Sequence, residues 1–187
     1  MSFEIYKEEL STMKYDSMII FSSRTGNTEK LAEKIFFSLP KHKKDIVRAA
    51  QWDAKVEANI YFVGFWVDKG DCPPDIAGIL QALHGKKVAL FGTCGEGDNP
   101  GYYEMLEGTV KKHLSEDNDY LGCFLCQGKM PMAVRARYEN MLENAQDKAI
   151  VQKMLHNFDE GLLHPDERDL KNLERFVQEC MEKITGK

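Results

Sequence analysis

Ser22-Ser23-Arg24-Thr25-Gly26-Asn27-Thr28 is the stretch on which the reading of the fold turns. It follows the apolar run Met18-Ile19-Ile20-Phe21 and precedes Glu29-Lys30-Leu31-Ala32-Glu33-Lys34-Ile35-Phe36, whose apolar residues recur at helical spacing. A buried strand that passes through a hydroxyl-rich, glycine-containing turn into a helix is built to hold a phosphate. The first N–H groups of a helix have no intrahelical acceptor, and the positive end of the helix dipole lies there. The Ser and Thr hydroxyls add donors, and Gly26 lets the backbone come close. No lysine lies inside the turn, and this mode of binding requires none.

Outward from this turn, strand-like apolar runs alternate with helical patterns. The runs are Met18–Phe21, Ile46–Val47, Ile60–Phe65, Val88–Phe91 and Leu121–Cys126. The spacing predicts helices over 28–38, 74–84, 102–115 and 166–184. The last carries Leu170, Leu173, Phe176, Val177, Cys180, Met181 and Ile184 on one stripe. Pro165 and Asp166 suit its first turn. Short strands that are apolar on both faces belong to a parallel sheet covered by helices. Five such units make a doubly wound α/β domain.

The chain has 187 residues, 43% of them hydrophobic, which supports one domain with a real core. A single domain is expected over 1–187, with 1–16 as an N-terminal extension and 131–164 as a helical insertion. The net charge of −5 carries no strongly basic patch, so nucleic acid is not an expected partner. Residues 1–16, with Glu4, Glu8 and Glu9, do not read as a signal peptide, and no apolar run approaches the ~20 residues of a membrane span. A cytoplasmic location with reduced cysteines is the resulting expectation. Cys123-Phe124-Leu125-Cys126 lies in a strand-like run, where residues three apart point to opposite faces, so the pair reads as two structural thiols. The five histidines show no metal-ligand spacing.

Within the insertion, Met132–Asn144 and Gln146–Phe158 both read as helical. The pattern predicts a packed cap with Met141, Leu142, Ile150, Val151, Met154 and Leu155 inward. A docking surface or a lid is the alternative role.

Ser23-Arg24-Thr25-Gly26-Asn27-Thr28 resembles the phosphate loop of the flavodoxin family, Ser/Thr-x-Thr-Gly-x-Thr after the first strand. The resemblance implies a five-stranded parallel sheet in the order 2-1-3-4-5 with helices on both faces, and FMN as the cofactor. Ligands of open α/β sheets sit outside the carboxyl ends of the strands. In the loop after the third strand, Phe65-Trp66-Val67-Asp68-Lys69-Gly70 places a Trp that the flavin ring would cover by stacking. Gly70 is the guessed site of a peptide flip of the kind flavodoxins use. The loop after the fourth strand, Thr93-Cys94-Gly95-Glu96-Gly97-Asp98, resembles the family's second flavin loop, followed by Tyr102 or Tyr103 for the other ring face. Its glycines would let N–H groups reach the ring edge. The third glycine of a dinucleotide-binding fingerprint is missing, and Pro100 stands there. After the fifth strand, Gln127 is read as a hydrogen-bond partner of the ring.

The candidate FMN-binding residues are therefore Ser22 to Thr28, Phe65 to Gly70, Thr93, Cys94, Gly95, Gly97, Asp98, Tyr102, Tyr103 and Gln127. None of them reads as a general acid or nucleophile. The resemblance implies a monomeric electron carrier that docks with a reductase and an acceptor enzyme and cycles through semiquinone and hydroquinone. Glu96 and Asp98 would oppose the extra charge of the reduced ring. The alternative is an FMN-dependent NAD(P)H oxidoreductase of the same fold, acting on a quinone or other conjugated substrate. Lys129, Arg135 and Arg137 would then recognise an anion at the flavin edge. The nucleotide P-loop pattern and the C-x5-R of a small phosphatase are both absent.

Overall fold

The structure is a computed structural model, and it describes residues 14–97 and 99–186. Five parallel strands stand in the order β2-β1-β3-β4-β5, as the resemblance implies. They are β1 (Lys14–Phe21), β2 (Lys44–Arg48), β3 (Glu57–Trp66), β4 (Lys87–Cys94) and β5 (Asp119–Gln127). Among the described residues, six α-helices accompany them: α1 (Asn27–Ser38), α2 (Pro74–Ala82), α3 (Pro100–Lys111), α4 (Met132–Asn144), α5 (Lys148–Gly161) and α6 (Glu167–Thr185). Strand β1 starts at Lys14, so the last residues assigned to the N-terminal extension belong to the sheet. The rest of that extension, 1–13, lies outside the described residues.

Alternation along each strand divides the core in two. Met18 and Ile20 of β1 pack with Tyr61, Val63, Leu90 and the residues of α2 on one face. Ile19 and Phe21 pack with Phe62, Phe91, Leu31 of α1 and Leu173 of α6 on the other. Cys123 joins the first cluster and Cys126 the second, so the C-x-x-C pair does lie on opposite faces. All five cysteines are free thiols.

Two glycines set where the aromatic rings of the central strands go. Gly64 pairs with Phe91 and Phe65 with Gly92 across β3 and β4. A Cβ on Gly92 would lie 2.9 Å from both the ring and the carbonyl oxygen of Phe65. The missing side chain leaves the space that Phe65 fills, fully buried.

Helix α6 begins on a reciprocal capping box. Asp166 accepts from the Asp169 amide at 2.9 Å, and the Asp169 carboxylate accepts from the Asp166 amide at 2.9 Å. Helices α4 and α5 form the insertion, tied by Arg135, which pairs with Glu139 and Asp159 and lies 5.7 Å from the Phe158 ring centroid. Val151 and Phe158 are buried there, and Leu142, Met154 and Leu155 are half-buried. Met141 and Ile150 are exposed, contrary to the cap expected from the pattern. A two-helix hairpin has too little surface above it to cover both of its apolar stripes. Among the described residues, no helix is long and apolar enough to cross a membrane.

Candidate functional site

A cleft of about 870 Å³ opens at the carboxyl ends of the strands. Its first wall is the turn between β1 and α1. The Ser22 amide donates to the Gly64 carbonyl at 3.0 Å, which ties the turn to β3. Gly26 is the N-cap of α1 at φ +84°, and no side chain caps the helix. The first N–H groups of α1 thus have neither an intrahelical acceptor nor a capping oxygen. Ser23 Oγ is buried with no partner among the described residues. Arg24, Thr25 and Asn27 line the cleft. Asn27 donates to Thr25 Oγ1 at 2.8 Å and to the Lys129 carbonyl at 2.9 Å, locking the turn to the segment after β5. An uncapped helix start beside an unpaired buried hydroxyl suits an oxyanion.

Thr28 is placed differently. Its hydroxyl lies 3.3 Å from the Phe65 carbonyl and 3.0 Å from Thr93 Oγ1, and the residue is fully buried. It joins the start of α1 to the ends of β3 and β4 and does not line the cleft. The Phe65 side chain also stays in the core, because Gly92 opposite it leaves room there.

Trp66, Val67, Asp68, Lys69 and Gly70 form the second wall. Asp68 and Asp71 exchange backbone hydrogen bonds of 2.8 and 3.1 Å around Lys69 (φ +52°) and Gly70 (φ +87°). Two consecutive positive φ angles make this a tight hairpin turn of the primed type, which Gly70 adopts without strain. The Asp71 carboxylate lies 2.9 Å from His113 Nε2 and accepts from the Cys72 amide at 2.7 Å. Burial pushes the Asp71 carboxyl up, but these hydrogen bonds and the attraction of His113 together hold it below its ordinary value. The Arg24 guanidinium sits 5.4 Å from the Trp66 ring centroid.

Thr93, Cys94 and Gly95, with Glu96 and Asn99, form the third wall. Burial raises the Cys94 thiol to about 12, so it stays protonated and is no nucleophile at neutral pH. Of the two tyrosines, Tyr102 lines the cleft. Tyr103 instead donates its hydroxyl to the Glu96 carbonyl at 3.1 Å. Asn99 caps α3 by accepting from the Tyr102 amide at 3.1 Å. Asp98 lies outside the described residues.

Gln127 does not line the cleft. Its amide donates to the Gly95 carbonyl at 3.2 Å and to the Asn157 carbonyl at 2.9 Å. Asn157, on α5, donates to the Gly95 carbonyl at 2.8 Å and accepts from the Gly97 amide at 3.1 Å. Gly97 does not line the cleft, and its missing side chain leaves the space that Gln127 occupies. The inserted helix therefore fixes the backbone of the Gly95–Gly97 loop.

The fourth wall comes from the segment after β5: Lys129, Met130, Pro131, Val134, Arg137 and Tyr138, with Asn157. Of these, Lys129, Met130 and Pro131, directly after the fifth strand, and Arg137 are legible as candidates in the sequence, whereas Val134, Tyr138 and Asn157 are not. A polar residue such as Asn157 on a solvated helix face gives no local signal. Across the cleft, Arg24, Lys69, Lys129 and Arg137 outnumber Asp68 and Glu96 among the described residues. Glu96 faces the cleft beside these cations, and Asp98, the other acid expected there, lies outside the described residues. Two clusters elsewhere bring metal-capable side chains together, Asp71-Cys72-His113 and His164-Asp166-Asp169. Their carboxylates already hold the hairpin turn and the α6 cap.

A family model described as a flavodoxin domain matches residues 18–178. The chain is 34% identical over 172 residues to a flavodoxin-like domain-containing protein, BilS, from Clostridioides difficile, covering 90% of this chain and 98% of the relative. It is also 34% identical over 182 residues to a BilS protein from Clostridium symbiosum, covering 88% and 94%. Among solved structures, a short-chain flavodoxin associated with a non-canonical PDU bacterial microcompartment superposes with a TM-score of 0.53 at 16% identity, covering 92% of this chain and 99% of that one. At that identity the likeness shows the fold alone.

Proposed function

This chain belongs to the flavodoxin family, and we propose that it is an FMN-dependent electron-transfer protein that serves a reductase and an acceptor enzyme. One observation carries the reading: the uncapped start of α1, whose turn lines through Arg24, Thr25 and Asn27 a cleft also walled by Trp66 and Tyr102, and holds a buried, unpartnered Ser23 Oγ. The residues present fit FMN. The first N–H groups of α1, with Ser23 and Thr25, would hold its phosphate. Arg24 adds a cation at the same wall. Trp66 and Tyr102 would flank its ring, with Gly95 at the ring edge. When bound, FMN supplies the redox chemistry by gaining and losing electrons at its ring. The protein binds and orients it. The proposed carrier is cytoplasmic and monomeric.

The test is retention of FMN against riboflavin by the purified chain, followed by slow anaerobic reduction watched by visible absorption. Retained FMN that reduces through a distinct one-electron stage supports the carrier. Retention of neither flavin overturns the cofactor assignment.

A second reading is an NAD(P)H oxidoreductase acting on a quinone or other conjugated substrate. It is favoured by Lys129 and Arg137, which line the cleft with no carboxylate partner among the described residues. Turnover of NADPH by the chain without a separate reductase would support it. Arg135, the third cation considered for this role, is committed to Glu139 and Asp159 and holds the insertion together.

A further inference from the structure

The fourth wall of the cleft differs in composition from the other three. Helix α4 carries two arginines, Arg135 and Arg137, two residues apart. Arg135 is spent on two carboxylates and the Phe158 ring. Arg137 has no ion pair among the described residues, is exposed, and lies 5.6 Å from the centroid of the half-buried Tyr138 ring. Both Arg137 and Tyr138 line the cleft. Below them, Met130, Pro131 and Val134 supply an apolar floor. Lys129 stands at its edge with its backbone pinned on both sides: its carbonyl accepts from Asn27 and its amide donates to the His164 carbonyl at 3.3 Å. Its side chain has no carboxylate partner among the described residues.

Apolar surface, one aromatic ring and two uncommitted cations are the complement of a flat, conjugated molecule that carries an acidic group. The proposed phosphate site, at the start of α1, adjoins this wall on the Lys129 side, where Asn27 donates to the Lys129 carbonyl at 2.9 Å, whereas Arg137 and Tyr138 belong to α4. The volume of about 870 Å³ is near the top of the roughly 300–1,000 Å³ range of ligand pockets, which leaves room beside a bound cofactor. We propose that Arg137 and Tyr138, with Lys129, form a second binding site in this cleft for a planar conjugated anion, a carboxylate or sulfonate, seated against the inserted hairpin. The site rests on the cofactor placement proposed above. Arg137 holds the acidic group, Tyr138 and the Met130–Val134 floor cover the flat body, and Lys129 raises the local positive potential.

The probe is anthraquinone-2-sulfonate, with uncharged 2-(hydroxymethyl)anthraquinone as its comparison. Each is titrated calorimetrically into the FMN-loaded chain and into its Arg137→Gln and Lys129→Gln variants. The sulfonate is expected to bind more tightly than the neutral probe. R137Q is expected to weaken the sulfonate about tenfold, the loss of one charge-assisted contact, and to leave the neutral probe unchanged. FMN retention by R137Q is expected to equal that of the parent chain.

Equal affinity for the two probes, or an R137Q variant that binds the sulfonate as before, overturns the site. Loss of FMN from R137Q overturns it as well, because Arg137 then belongs to the cofactor's own cradle. If the parent chain holds no FMN, the cofactor reading fails. The same titration of the FMN-free chain then decides the anion site by the same two comparisons. Far-ultraviolet circular dichroism checks that R137Q is folded. K129Q is expected to weaken the sulfonate less than R137Q does and to leave the neutral probe unchanged; a K129Q variant that weakens both probes equally overturns the role given to Lys129.

Discussion

The Gln127 side chain donates to both oxygens of Asn157, to the backbone carbonyl at 2.9 Å and to the side-chain oxygen at 3.1 Å. Strand β5 and the inserted helix α5 meet through this pair, and both reach the Gly95 carbonyl. The insertion is thereby part of the cleft's construction. Replacing Asn157 by Ala leaves the Gly97 amide and the Gly95 carbonyl without that partner, at a cost of about 1–3 kcal/mol. Urea denaturation reads the stability loss, and amide exchange at Gly97 reads the loosened loop. Asn157→Asp keeps the acceptor for the Gly97 amide and loses the donor to Gly95. It should protect Gly97 better than Asn157→Ala does. Equal exchange in all three proteins would show that the loop holds itself.

The hydroxyls of the Ser22–Thr28 turn divide into two kinds. Ser23→Ala removes a buried hydroxyl with no partner, so stability should hold or rise by up to about 1 kcal/mol. Affinity for FMN should fall more than affinity for riboflavin. Thr28→Val removes the hydrogen bonds to Phe65 and Thr93 and should cost about 1–2 kcal/mol. Fluorescence titration with the two flavins, beside thermal melts, separates the effects. A Ser23→Ala variant that loses both flavins equally argues against a phosphate at this turn.

Two glycine substitutions should have opposite signs. Gly92→Ala drives a methyl into the Phe65 ring and carbonyl and should destabilise by about 1–3 kcal/mol. Gly78 lies in α2 with nothing within 4 Å of an added Cβ. Gly78→Ala should stabilise by about 0.5–1 kcal/mol through helix propensity. Chemical denaturation of both variants tests the packing account. A neutral Gly92→Ala would show that β3 and β4 shift apart at little cost.

Acid should loosen the hairpin turn at Asp68–Asp71. The Asp71 carboxyl is held below its ordinary value of 3.8 in the folded chain, with burial opposing and the His113 and Cys72 hydrogen bonds prevailing. A depressed carboxyl stabilises the fold above its unfolded value. That contribution is lost as pH falls through the folded value. Trp66 fluorescence, five residues from Asp71, should change in that acidic window, and Asp71→Asn should abolish the change. A pH response that survives in Asp71→Asn would assign it to another carboxylate.

The alternation of apolar strands with amphipathic helices was sufficient, by itself, for the doubly wound sheet. Strand burial on both faces and helix periodicity are local properties of the chain. The turn before α1 was legible for the same reason, since Gly26 and the hydroxyls beside it act within a few residues. Side-chain direction at the site was not local. Phe65 turns into the core because Gly92, on the neighbouring strand, leaves space for it. Thr28 is consumed by Thr93, and Gln127 by Asn157, across gaps of 65 and 30 residues. Tyr102 and Tyr103 are adjacent and chemically alike, and only the path of the Glu96 backbone separates their roles. The insertion's helices were readable from their periodicity. Their position against the Gly95–Gly97 loop depends on hydrogen bonds between segments that meet only when the sheet has formed. The sequence determined the elements and the Ser22–Thr28 turn. Tertiary structure decided which polar groups face the cleft, because each such group is claimed first by whatever buried partner the fold brings within reach.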